Sequence, residues 1–261
     1  MPHEETVYEA LDHAHGGEGQ WAFGQGFDDP LAGVDTTVPD GVEPADLGVY
    51  CLMLGDDALI LAQRLTQWVT ASPELEEEVA VANVALDHLG QARLLLARAG
   101  SVGVLGRSRS LATESIPDED ALAYFRDADE FRCTALVEAE NGDFAHTMLR
   151  LLAAATVRLA VLARLRESRD PVLAAIAAKG VNELTYHRDH AARWVLRLGD
   201  GTEESHRRAQ AGAQAVWPLL ATSSARRPRS SGSPPGASPS TRRRCAARCT
   251  RSSRRCSSAP R

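Results

Sequence analysis

The sequence lacks the features of a membrane or exported protein. It has no apolar run of about eighteen residues, and no basic stretch followed by an apolar segment at its N-terminus. We therefore predict a cytoplasmic protein without a membrane partner. Of the five cysteines, only Cys51 and Cys133 lie in sequence with a regular apolar pattern, so we expect no disulfide framework. Aromatic residues make up 5% of the chain, while Ala, Leu and Arg are abundant, which favours helices over sheets.

Acidic residues are missing from one segment. Residues 222–261 contain eleven arginines, no acid, and no Leu, Ile, Val, Phe, Trp, Tyr or Met. Of the 29 basic residues, 18 remain in residues 1–221 against 35 acids, which gives this part a net charge of about −17. A net negative charge of this size on residues 1–221 argues against nucleic acid as the natural partner of the protein. The acidic run Glu74–Glu78 is typical of a solvated helix start, although it would also suit a basic partner.

The arginine-rich tail has two explanations. Lys179 is the only lysine of the chain, as expected for a GC-rich gene, and such a gene read out of frame yields Arg, Ser, Pro and stray Cys. One hypothesis is therefore that the sequence after about Ala221 results from a frameshift. A genuine disordered basic tail is the alternative, since its composition cannot form a packed core.

Apolar residues recur at spacings of three and four along most of the chain, which predicts amphipathic helices. The segments joined by short loops predict a single all-α bundle over residues 45–221, preceded by an extended N-terminal arm over residues 1–44. The predicted helices cover residues 47–70, 74–100, 119–138, 143–166 and 171–198, with a last one ending near Leu220.

Long helices with internal carboxylates and histidines suggest a test for a di-iron site. That site needs a glutamate from each of two helices and a Glu-x-x-His motif from each of two others. Helix 143–166 has no carboxylate after Asp143, although iron requires oxygen ligands. Helix 47–70 has only Asp56 and Asp57, which we expect to be solvated. A complete ligand set is therefore not expected.

The two remaining motifs are incomplete. In the second helix, Asp87 and His88 are followed by Gln91, so no Glu-x-x-His is formed. In the fifth helix, Glu183 lies four residues before His187, which is the spacing of an ordinary side-chain pair on one helix face. We interpret His88, Gln91, His187 and the neighbouring Tyr186 as internal groups that form hydrogen bonds with one another or with the backbone.

Several segments closely resemble the structural C subunit of bacterial ring-1,2-phenylacetyl-CoA epoxidases. They occur in the same order as in that family and cover about residues 46–220. The segments that carry the resemblance are LGDDALILAQRLTQW, SPELEEEVAVANVALDHLGQAR, DEDALAYFRDADEFR, VEAENGDFAHTMLR and SRDPVLAAIAAKGVNELTYHRDHAARWVLRLGDGTEES. The resemblance implies a ferritin-like subunit that pairs with a homologous catalytic subunit. That partner would hold the di-iron centre and bind the CoA thioester, and a reductase with flavin and iron–sulfur groups would supply electrons.

The resemblance also implies a degenerate di-iron site in this chain. Where the catalytic partner has its Glu-x-x-His motifs, this chain has His88 with Gln91 and Leu184 with His187. We therefore predict that His88, Gln91 and His187 are vestigial positions, and that the chain holds no metal, no cofactor and no catalytic residue of its own. The family continues as acidic and apolar helical sequence where this chain becomes arginine-rich.

Two alternatives remain open. A self-sufficient di-iron oxidoreductase would use the six residues Asp57, Asp87, His88, Glu138, Glu183 and His187. A helical binding module would instead use its basic tail, residues 222–261, to bind nucleic acid or another anionic surface.

Overall fold

The computed structural model describes residues 29–104 and 116–223, and no strand occurs in these ranges. The prediction of an all-α fold is thus confirmed. The described residues form seven helices: α1 (Pro44–Thr66), α2 (Leu75–Ser101), α3 (Asp118–Tyr124), α4 (Ala135–Glu138), α5 (Phe144–Leu165), α6 (Pro171–Gly199) and α7 (Glu203–Ser223). None of the helices in these ranges is long and apolar enough to cross a membrane.

Local sequence signals set the starts of the long helices. The Asp143 carboxylate accepts a hydrogen bond from the His146 amide at 2.9 Å and so caps α5. Asp170 caps α6 in the same way, through the Leu173 amide at 2.8 Å, and Pro171 follows at the first helical position. Pro44 takes the corresponding position in α1. These caps are the reason that the predicted boundaries of α5 and α6 agree with the structure.

The four longest helices form the ferritin-like bundle. α1 packs along α2, and α5 packs along α6, while α7 covers part of α5. Short connections join α1 to α2 and α5 to α6, so the helices of each pair run antiparallel. One core cluster lies between α1, α2 and the first turns of α6, and includes Leu52, Leu95 and Ile176. A second cluster joins the other ends of the helices and includes Leu61, Val84 and Leu151.

The prediction of one helix over residues 119–138 is wrong. Helix α3 ends at Tyr124, and α4 begins only at Ala135. Arg126, in the loop between them, forms hydrogen bonds to both carboxylate oxygens of Asp56 on α1, at 3.0 and 2.5 Å. The Arg132 amide donates to the same carboxylate at 2.8 Å. Tertiary hydrogen bonds therefore outweigh the helical pattern of this segment.

The expectation that Asp56 and Asp57 are solvated is also wrong. Asp56 is fully buried and paired with Arg126. Asp57 accepts hydrogen bonds from the amide and the hydroxyl of Thr134, at 2.7 and 3.1 Å. Both carboxylates thus hold the loop before α4 against the middle of α1. Their burial is tolerated because an ion pair and hydrogen bonds compensate for the lost hydration.

Part of the predicted N-terminal arm packs against the bundle. Leu31 is buried in the core cluster beside α1 and α2. Arg98 of α2 donates a hydrogen bond to the Thr36 carbonyl at 2.6 Å, and Arg169 donates to the Asp40 carbonyl at 3.1 Å. Residues 1–28 of the arm and residues 224–261 of the tail lie outside the described residues, so the hypothesis of a frameshift stays a prediction.

A buried ion pair joins α2 to the start of α6. Arg98 is fully buried, and its guanidinium donates to the Asp170 carboxylate, which also caps α6. Asp170→Asn keeps a capping side chain but removes the charge opposite Arg98. We expect D170N to lower the free energy of unfolding by about 3 kcal/mol, because a buried guanidinium loses its counter-ion. Urea denaturation measures this change.

The matched control is D189N, since Asp189 pairs with Arg188 at the exposed surface. Its effect should stay below about 1 kcal/mol. Equal effects of D170N and D189N would contradict the stabilising role of the buried pair.

Candidate functional site

Polar side chains from α2, α5 and α6 meet inside the bundle. Arg158 of α5 donates from Nε to Oε1 of Gln91 at 2.8 Å, and from Nη1 to the Leu54 carbonyl of α1 at 3.0 Å. Gln91 in turn donates from Nε2 to Oε2 of Glu183 on α6 at 2.6 Å. A continuous hydrogen-bond chain thus links Leu54, Arg158, Gln91 and Glu183, and it ties all four helices of the bundle together. We refer to these groups as the Arg158 cluster.

Two histidines lie one turn from this cluster. The rings of His88 on α2 and His187 on α6 are 5.1 Å apart between centroids. His187 Nε2 lies 2.8 Å from Oδ2 of Asp87, whose side chain reaches the edge of the bundle. Both histidines are fully buried, and neither ring nitrogen of His88 has a hydrogen-bond partner among the described residues. The expectation that His88 is internally satisfied is therefore wrong.

Burial dominates the electrostatics of the site. It lowers the pKa of His88 well below its usual range, and the nearby His187 and Arg158 lower it further, so His88 is neutral at neutral pH. Burial lowers the pKa of Arg158 to about 10, while the carboxylates of Asp57 and Glu183 oppose that change. Burial raises the pKa of Glu183, against the hydrogen bond from Gln91. Arg158 thus remains a buried cation, and the nearby carboxylates of Asp57 and Glu183 favour its charged form.

The residues at this site do not fit a di-iron centre. Helix α5 contributes the Arg158 guanidinium instead of a carboxylate, and a guanidinium has no lone pair for a metal. Gln91 Oε1 accepts a hydrogen bond from Arg158, and Glu183 Oε2 accepts one from the Gln91 amide nitrogen, so both oxygens are already engaged. Within the described ranges, no three His, Cys, Asp or Glu side chains lie close enough to bind one ion. Arg158, Gln91 and Glu183 thus pair with one another, while the His88 ring remains unpaired among the described residues.

The structure separates the residues of the self-sufficient alternative. Asp87 and Glu183 do lie near His187, whereas Asp57 of α1 accepts hydrogen bonds from Thr134 and its charge acts on Arg158. Glu138 ends α4, and its carbonyl accepts a hydrogen bond from Arg64 at 3.0 Å. The six candidates therefore do not converge on one point.

Two further expectations about this region need correction. Glu183 and His187 do not bond to each other, because Glu183 pairs with Gln91 and His187 pairs with Asp87. Tyr186 is 59% exposed rather than internal. Its ring stacks on His190, which in turn lies 3.1 Å from Oε2 of Glu77. Tyr186 therefore belongs to the surface of α6.

Sequence reasoning missed Arg158, although its position contained a signal. Leu151, Ala154, Ala155 and Leu162 form the buried stripe of α5, and Arg158 lies four residues after Ala154 and four before Leu162. An arginine at such a core-facing position requires internal partners. Those partners come from helices far away in sequence, so the periodicity of α5 alone could not name them.

The substitution of Arg158 by methionine removes the positive charge and keeps a long, unbranched side chain. We expect R158M to lower the free energy of unfolding by roughly 3 kcal/mol, because Gln91 and the Leu54 carbonyl lose their hydrogen-bond donor and Glu183 loses a nearby positive charge. The double variant R158M/E183Q should recover part of this loss, since it also removes the uncompensated carboxylate. Denaturant unfolding of both variants measures the coupling, and strictly additive effects would contradict the proposed cluster.

The buried neutral state of His88 makes stability depend on pH. Below the usual pKa of 6.5, the unfolded chain binds a proton at His88 that the folded chain does not, so stability falls as pH falls. Between about pH 7 and about pH 5, H88Q should therefore lose roughly 2 kcal/mol less stability than the wild type. Unfolding curves at several pH values measure this difference. Parallel pH profiles for the two proteins would contradict a neutral His88.

Comparison with known proteins agrees with this architecture. The model of the family described as phenylacetic acid catabolic protein matches residues 35–229. The C subunit of the 1,2-phenylacetyl-CoA epoxidase from Escherichia coli (strain K12) is 42% identical over 175 residues, which are 67% of this chain and 66% of that protein. The chain thus spans just under two thirds of the length of this curated relative. It belongs to the phenylacetic acid catabolic protein family.

Proposed function

We propose that this chain is a non-catalytic structural subunit of a multicomponent phenylacetyl-CoA 1,2-epoxidase, a monooxygenase of aerobic phenylacetate catabolism. In this role it holds and stabilises a homologous catalytic subunit that carries the di-iron centre. The identity to the C subunit of such an epoxidase supports the assignment to the complex. The iron, the flavin and the iron–sulfur group belong to the other subunits, and the reductase is a further candidate partner.

The Arg158 cluster is the observation that carries the non-catalytic role. In a di-iron bundle the polar groups of the facing helices bind metal and leave room for oxygen and substrate. Here a guanidinium bonds to Gln91 and to a backbone carbonyl, so the Gln91 oxygen is occupied by a protein donor and α5 supplies a cation instead of a metal ligand. A buried cation also raises the free energy of a second cation nearby, since charges in a low-dielectric interior repel strongly. His88, Gln91 and His187 are thus vestigial positions of a lost metal site.

The self-sufficient di-iron enzyme is supported by one observation only. The unpaired ring nitrogens of His88 and the free Nδ1 of His187, within the described residues, are what a metal ligand would leave behind when the metal is absent. The positive charge of Arg158 opposes this interpretation. Burial is the main cause of the low pKa of His88, and Arg158 lowers that pKa further because its charge disfavours a protonated ring. The same charge would repel a metal ion bound at His88.

Co-expression with the homologous di-iron subunit tests the proposal. We expect the two chains to purify as one complex and, after separation under mild denaturant, iron to remain with the partner alone. Iron analysis of each separated chain measures this distribution. The partner expressed alone should lose iron or solubility, because its helical interface is left exposed.

The variant H88Q/H187Q provides the matched control, because it removes both buried imidazoles of this chain. The iron content of its complex should equal that of the wild-type complex. Iron that remains with this chain after separation, and disappears in H88Q/H187Q, would overturn the non-catalytic role. Full epoxidation by the partner without this chain would overturn the structural role.

A further inference from the structure

Helix α2 carries a second apolar stripe that points away from the core. Its core side includes Val81, Val84 and Leu95, as expected for an amphipathic helix. On the outer side, Leu75, Val79, Leu86 and Leu89 are all exposed, and Leu75 and Leu86 are 71% and 62% accessible. Together with Ala82, they are spaced alternately by four and three residues, which is the pattern of a helix that packs against another helix. We call this set the α2 stripe.

Gly90 provides independent evidence about the same face. A glycine in the middle of a helix destabilises it by about 1 kcal/mol relative to alanine, so a packing reason is expected. Gly55 and Gly180, in the middle of two other long helices, have such a reason: a Cβ at Gly55 would lie 2.9 Å from Leu96, and one at Gly180 would lie 2.5 Å from Leu162. A Cβ at Gly90 would meet nothing within 4 Å among residues 29–104 and 116–223. The missing side chain therefore leaves room for a neighbour that is not among these residues.

The stripe runs into a surface depression of about 380 Å³. Leu86, Leu89 and Gly90 form one wall, and the exposed ring of Tyr124 from α3 forms part of another. The charged residues that line it are three acids and two bases: Glu119, Asp120, Glu183, Arg93 and Lys179. Arg93 is paired with Glu119 at 3.4 Å, and the glutamates 74–78 lie at the other end of the stripe. The surroundings of the apolar stripe are therefore predominantly acidic.

We infer that the α2 stripe with Gly90 is the docking surface for a helix of the homologous di-iron subunit. The occupant is an apolar helix seam flanked by lysine or arginine side chains, which approaches closest over Gly90. This inference rests on the proposed function, and it deepens it by locating the contact. Charge complementarity favours this occupant over a second copy of the chain, because two copies would bring like-charged acidic borders together.

The test uses wild-type and variant chains with the co-expressed di-iron subunit as the binding probe. L86D places a charge in the centre of the stripe, and its dissociation constant should rise about 30-fold or more, as for a central interface residue. L196S is the matched control, because Leu196 is 66% exposed on α6 outside the stripe, and its affinity should equal that of the wild type. Surface plasmon resonance measures these constants.

G90A separates docking from folding, because it should change the two in opposite directions. The isolated G90A chain should unfold about 2–4 °C higher than the wild type, since alanine is the better helix former. Its complex should nevertheless dissociate severalfold more readily, because the new methyl group occupies the contact. Stability and affinity that rise together in G90A would overturn the inference.

The remaining outcomes distinguish the inference from the proposed function. If the wild-type chain forms the complex and L86D binds equally well, the docking surface is wrong while the proposed function stands. If the wild-type chain does not bind the di-iron subunit at all, the proposed function itself fails. A wild-type homodimer that L86D makes monomeric would identify a second copy as the occupant and overturn the inference. A large fall in the melting temperature of isolated L86D would show that another part of this chain covers the α2 stripe, and this result would also overturn the inference.

Discussion

The buried guanidinium of Arg158 is the interaction on which the centre of this bundle depends. It lies where four helices meet, and each of its contacts belongs to a different helix: Gln91 on α2 and the Leu54 carbonyl on α1. Through Gln91 the contact extends to Glu183 on α6. A charge in such a place requires acceptors for its donors, and Nε and Nη1 of Arg158 have them, while Nη2 has none among the described residues. The two hydrogen bonds therefore fix the relative positions of the helices as well as their stability.

Other buried arginines fasten the outer segments to this centre in the same manner. Arg98 links α2 to the capping carboxylate at the start of α6 and to the arm at Thr36. Arg126 holds the loop before α4 against Asp56, with its guanidinium 4.1 Å from the centre of the Phe131 ring. Arginine suits this role because its planar group donates several hydrogen bonds in fixed directions. In our proposal, the result is a rigid scaffold that presents the outer face of α2 to the catalytic subunit.

The sequence predicts the long helices well, because their periodicity and their capping aspartates are local signals. It also indicates that α5 lacks carboxylates, which is the feature on which our proposal of a non-catalytic subunit first depends. It could not predict the break after Tyr124, since that break depends on hydrogen bonds from Arg126 and Arg132 to Asp56, about 70 residues away in the chain. Nor could it predict the partners of Arg158 or the exposure of Tyr186, which depend on how the helices face one another.

The central claim of our proposal is that the Arg158 guanidinium occupies the place at which di-iron helix bundles bind their metal ions. Crystals of the complex with the di-iron subunit, measured at the iron absorption edge, test it most directly. Our account predicts anomalous density in the partner only, with the Arg158 side chain bonded to Gln91 in this chain. An anomalous peak between His88 and His187 would contradict it.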